Sequence, residues 1–199
     1  METMEKNTIE MALGKARSYM EYRDLVNNLF ANGKSTGDTQ TEAYLNYTDL
    51  NIHRMNKWDK HYHVSSELED QLKKLSNKEM WLVISEGWCG DAAHAVPVIH
   101  KMADSSQNVE MNVVLRDENP ELMDMFLTDG ARSIPKLIRL SETGEVLGTW
   151  GPRPVLGQKI IDDAKVAGTP IPTAKEALQL WYARDKGKTI ASEISEILK

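Results

Sequence analysis

At 199 residues the chain is long enough for one domain of ordinary size with a segment to spare at either end. Its 24 lysines and arginines against 30 aspartates and glutamates leave a formal charge of −6, so it offers no overall basic footprint for nucleic acid or an anionic membrane. No stretch approaches the ~20 apolar residues that cross a bilayer, and the polar start Met1–Glu10 lacks a secretory apolar core, so a cytoplasmic protein is expected.

Apolar residues Ile9, Leu13, Ala16, Met20, Leu25 and Leu29 recur at helical spacing up to Asn32-Gly33, which predicts one long N-terminal helix. Residues 33–40 have a loop composition, and 41–58 read as a second helix carrying Tyr44, Tyr47 and Trp58. These aromatics are expected to dock the N-terminal extension or to help form a groove. Ser66 with Glu69 predicts a capping box ahead of Leu68, Leu72 and Leu75.

Met80 to Ile84 is a short apolar run suited to a central strand. Ala92, Val96, Ile99 and Ala103 then line one helix face, and Val109, Met111, Val113 and Leu115 alternate as a strand does. Asn119-Pro120 starts a helix that Gly130 stops. Residues 136–140 and 145–150 form a hairpin around Thr143-Gly144, and Pro154 opens a helix that closes near Gly168. Thr173 with Glu176 predicts a further capping box, and Ile190, Ile194 and Ile197 mark a terminal amphipathic helix. The order between 66 and 168 is α-β-α-β-α-β-β-α, an α/β unit with helical extensions at 1–65 and 169–199.

Cys89 is the single cysteine, which excludes an intrachain disulfide and makes any redox step intermolecular. It stands at the first turn of a helix after a buried strand, where free N–H groups and the helix dipole favour thiolate. Trp88-Cys89-Gly90 resembles the start of the thioredoxin active-site motif. Pro97 falls where thioredoxins carry a proline within the next helix, and the segment from Gly130 through Arg132, Ser133, Ile134 and Pro135 to Leu137 resembles the one ending in their cis-proline. The chain is similar to a bacterial branch of the thioredoxin-like superfamily with a WCGDAA site.

That resemblance implies a thioredoxin-like mixed sheet flanked by helices. It also implies a cis Ile134-Pro135 bond against Cys89, and an Ile134 backbone able to pair with a peptide or with glutathione as co-substrate. Trp88, Cys89, Gly90 and Asp91 are the expected catalytic group, and Ile134, Pro135, Arg132 and Arg153 the expected substrate contacts, the two arginines holding a carboxylate.

The pattern also breaks. Ala92 occupies the position of the resolving cysteine, so ordinary dithiol turnover is excluded, and Val83 aligns with the acid that thioredoxins bury under the pair. Asp91 suits a helix start yet opposes thiolate formation at Cys89, and the sequence leaves open which effect wins.

Two functions follow. One is monothiol exchange at Cys89 with glutathione, a thiol peptide or a protein disulfide, in cell redox homeostasis. The other is a redox-inactive module that binds a peptide or partner protein at the Pro135 surface. His94 and His100 make no ligand set with Cys89, and His61 and His63 read as a solvated pair, so neither metal nor resident cofactor is expected. A homo-oligomer is open to the terminal helices.

Overall fold

The computed structural model describes residues 2–198. Five strands form one mixed sheet in the order β1-β3-β2-β4-β5. Its centre is β2 (Glu79–Ser85), parallel to β3 (Val109–Leu115) with Val83 opposite Val113, and antiparallel to β4 (Lys136–Ser141) with Val83 opposite Leu137. Trp81, Leu82, Val83 and Ile84 are fully buried, as a strand covered on both faces requires. The hairpin partner β5 (Val146–Trp150) lies on one edge, and β1 (Arg17–Ser18) pairs antiparallel with β3 on the other.

Helix α5 (Gly90–Ala103) connects β2 to β3 and carries Pro97 in its interior. Every residue from Asp91 to Ile99 is buried, because the sheet meets one side of α5 while α3 (Glu42–His61), α4 (Ser66–Lys73) and α9 (Lys188–Glu196) pack against others. Val96, Ile99 and Met102 of α5, Leu137 and Ile138 of β4, and Ile190 and Ile194 of α9 belong to one core. Helix α6 (Pro120–Met125) follows β3, and α7 (Val155–Val166) and α8 (Ile171–Asp185) lie side by side after the hairpin. The α/β architecture with helical segments at both ends is the one the sequence predicts. Among the described residues no helix is long and apolar enough to cross a membrane.

Four local readings change, the first being that α6 ends at Met125, with Gly130 instead turning the chain between Thr128 and Ala131. The single long N-terminal helix is two, α1 (Glu2–Leu13) and α2 (Tyr19–Ala31), with β1 between them. Ser18 restarts the helix through a reciprocal capping box: its hydroxyl accepts from the Glu21 N–H, and the Glu21 carboxylate accepts from the Ser18 N–H at 2.8 Å. Apolar positions stay in phase across the break, so periodicity alone reads through it. The cap of α4 is Ser65, one residue before the predicted one, while Glu69 pairs with Lys73. Helix α8 begins behind Pro170 with Pro172 in its first turn, which places Thr173 inside the helix rather than at its cap.

Candidate functional site

The site gathers at the top of β2. The peptide N–H of Cys89 donates to the carbonyl of Glu86, which turns the chain out of the strand and puts Cys89 at the N-cap of α5. Across from it, Ile134 precedes Pro135 through a cis bond, and the Cys89 Sγ–H donates to the Ile134 carbonyl at 3.3 Å. The Ile134 N–H meets no acceptor among the described residues. Gly151, also followed by a cis proline, sits at φ +112° against the Pro135 carbonyl, where any Cβ would collide with backbone.

Cys89 is 8 % exposed. Burial pushes its thiol up to about 12 and the charge of Asp91 adds to this, outweighing the N–H groups of Ala92 and Asp91 and the Arg153 guanidinium, which act the other way. The contest left open by the sequence thus goes against the thiolate.

Asp91 is no simple helix cap. Its Oδ1 accepts from the Tyr182 hydroxyl at 2.8 Å, and its Oδ2 accepts from Nη2 and Nε of Arg153 at 2.6 and 3.2 Å. Arg153 also donates to Gln158 on α7. One buried carboxylate thereby ties the start of α5 to α8 and to the loop ahead of α7.

A second tie lies one turn on. The Trp58 indole N–H donates to Nδ1 of His94 at 2.9 Å; because indole only donates, Nδ1 must be the acceptor and the proton sits on Nε2, which donates to the side-chain Oε1 of Gln179 at 2.7 Å. Burial pushes His94 down to about 4, and the ring stacks on Tyr182. The aromatics split their roles: Trp58 docks α3 on α5, while Tyr44 stacks on Trp88 and Tyr47 faces the open cleft.

Val83 is buried and apolar, so no acid lies beneath the thiol at that position. A buried acid is present all the same: Glu86, three residues ahead of Cys89, accepts from the Asp117 N–H at 3.0 Å. Burial raises its carboxyl to about 7, with the Asp117 charge adding to the effect. Sequence reasoning missed Glu86 because its cover, Thr36 and Gly37, comes from the distant loop after α2.

The elements enclose a cleft of about 1000 Å³. Trp88, Cys89, Gly90 and Asp91 form its floor, Ile134 and Arg132 one side, and α3, α7 and α8 the others. Arg132 lies at the rim in a bidentate pair with Asp124, both oxygens at 2.6 Å, and Pro135 is set behind Ile134. The two arginines expected to meet a ligand carboxylate thus each hold an internal one. Arg54, Gln179 and Tyr182 carry no motif, yet they stand over the first turn of α5; an added Cβ on Gly90 would lie 3.5 Å from Gln179 and 3.6 Å from Arg54.

A family model described as thioredoxin matches residues 37–165. A protein of unknown function from Pseudomonas aeruginosa has a similar crystal structure, with 19 % identity and a TM-score of 0.54 over 92 % of this chain and 97 % of that one. An HIV epitope-scaffold is similar at 17 % identity and a TM-score of 0.52, over 92 % and 98 % of the two chains. At these identities the likeness is one of fold. No curated protein matches the chain. With the family model covering well over half the sequence, and with a cysteine at the N-cap of α5 facing a cis-proline, the chain belongs to the thioredoxin family.

Proposed function

We propose that this chain is a thioredoxin-fold binding protein, taking an extended peptide along the cleft at Ile134, with Cys89 kept as a neutral thiol. The setting of Cys89 carries the reading: its thiol is buried and donates to the Ile134 carbonyl at 3.3 Å, and burial together with the charge of Asp91 disfavours the thiolate. The Ile134 N–H, without an acceptor among the described residues, is the backbone donor such a peptide would use. A cytoplasmic setting suits a lone reduced cysteine.

Monothiol exchange is the second reading, favoured by the position of Cys89 on the cleft floor and by the N–H groups of Asp91 and Ala92. There the Cys89 thiolate would attack a disulfide of glutathione or a protein, forming a mixed disulfide and expelling the second sulfur as thiolate. An outside thiolate would then have to attack the partner's sulfur in that mixed disulfide, carrying it away as a new disulfide and expelling Cys89 as thiolate.

Alkylation by iodoacetamide across a pH series separates the two. Binding predicts a midpoint well above the ~8.5 of a free cysteine, no adduct with oxidised glutathione in the intact mass, and equal retention of peptides by wild type and Cys89→Ser. A midpoint at or below that value, together with a glutathione adduct, would move the conclusion to monothiol exchange.

A further inference from the structure

The charge of the cleft runs against that of the chain. A protein of net charge −6 lines this one cavity with Arg54, Arg116, Arg132, Arg153, Lys165 and Lys175, against only Asp91 and Asp129. Three of the cations are neutralised nearby: Arg153 by Asp91, Arg132 by Asp124 and Arg116 by Asp117. The other three, Arg54 on α3, Lys165 on α7 and Lys175 on α8, have no carboxylate partner among the described residues.

Arg54 is the most telling. It is half-buried beside Gly90, the only hydrogen bond of its side chain among the described residues is to Asn51, and Asp91, whose charge reaches it, is itself held by Arg153 and Tyr182. Such a group gains more from a carboxylate than an exposed one does, because water screens the new pair less. Lys165 and Lys175 are exposed at the rim, Lys175 over the face of Tyr47 at 5.6 Å. The unpaired charges thus run from the floor beside Cys89 outward to two rim positions supplied by different helices.

From this we infer that the helices around the thiol make the cleft selective for acidic peptides, with Arg54, Lys165 and Lys175 receiving carboxylates on either side of the segment that lies along Ile134. The inference rests on the peptide-binding reading above and adds the chemistry of the ligand. Single charges spread along the cleft fit an extended chain with several carboxylates better than one compact anion.

The test is binding of the full chain to an array of random-sequence peptides. Retained peptides are expected to be enriched in aspartate and glutamate. The best of them, resynthesised with glutamine and asparagine in place of its acids, should bind about tenfold more weakly in calorimetry, a loss of ~1.4 kcal/mol. The preference should shrink as salt rises and be lost in the double variant Arg54→Gln, Lys175→Gln, which should bind the acidic peptide and its neutral counterpart with equal affinity. Citrate at matched ionic strength should fail to displace the peptide. Retention without acidic bias, or displacement by citrate as effective as by peptide, overturns the inference and leaves the peptide reading standing; an array that retains nothing overturns both.

Discussion

Asp91 and Glu86 are two buried carboxyl groups within three residues of the same thiol, and their surroundings give them opposite tasks. Asp91 is bound by an arginine and a tyrosine, and its negative charge helps keep Cys89 protonated. Removing that charge in Asp91→Asn, while Arg153 stays, should lower the alkylation midpoint of Cys89 by about one pH unit, or ~1.4 kcal/mol. It should stay above that of a free cysteine, because burial is the larger cause. An unmoved midpoint would mean that Asp91 serves only to hold α8.

Glu86 has its carboxyl raised from 4.5 to about 7, so the folded protein binds this proton more tightly than the unfolded chain does. The resulting stabilisation is complete below pH 4.5 and is lost as pH rises through 7. Wild type should therefore lose on the order of 3 kcal/mol relative to Glu86→Gln between those limits, measurable by urea unfolding at both; parallel stability curves would refute it. At this scale the sequence was legible where residues that meet at the cleft come from a contiguous motif, as at Trp88-Cys89-Gly90 and Ile134-Pro135. Tyr182, Gln179 and Arg54 were illegible because tertiary contact alone brings them to α5.

Strand and helix order from β2 to α7 was readable throughout, since a buried central strand and an alternating neighbour differ in pattern from the helices between them. Errors fell at helix ends, where one side chain outweighs periodicity. Ser18 is the clearest case: Ser18→Ala removes half of the box that begins α2 and should cost about 1 kcal/mol in denaturant unfolding. A variant as stable as wild type would show that packing of Tyr22 and Val26 alone sets the start of that helix.

Gly151 is the corresponding point in the hairpin. Its positive φ and its contact with the Pro135 carbonyl leave no room for a side chain, so Gly151→Ala must displace the Ile134-Pro135 segment ahead of β4. The expected loss is at least ~2 kcal/mol, with weakened peptide retention alongside it in the same preparation. Full stability in that variant would show that the loop yields without cost.

Over the whole molecule, the helical segments at both ends are part of the body around the sheet rather than decorations on it. They build most of the cleft: α3 and α8 supply the walls, and Trp58, Gln179 and Tyr182 fasten them to α5. Composition revealed only the total charge, and the concentration of cations in one cavity became visible when segments far apart in the chain met there.

The two residues of β1 have a consequence for how the protein keeps to itself. Arg17 and Ser18 sit on the outer side of β3, opposite Val113 and Asn112. Without them, the backbone donors and acceptors of Asn112 and Val113 would lie open on that edge, ready to pair with the same edge of another molecule. A chain beginning at Tyr19 is accordingly expected to scatter light within minutes at concentrations where the full chain stays clear. In this sense, a strand too short to add much stability acts as a guard against aggregation.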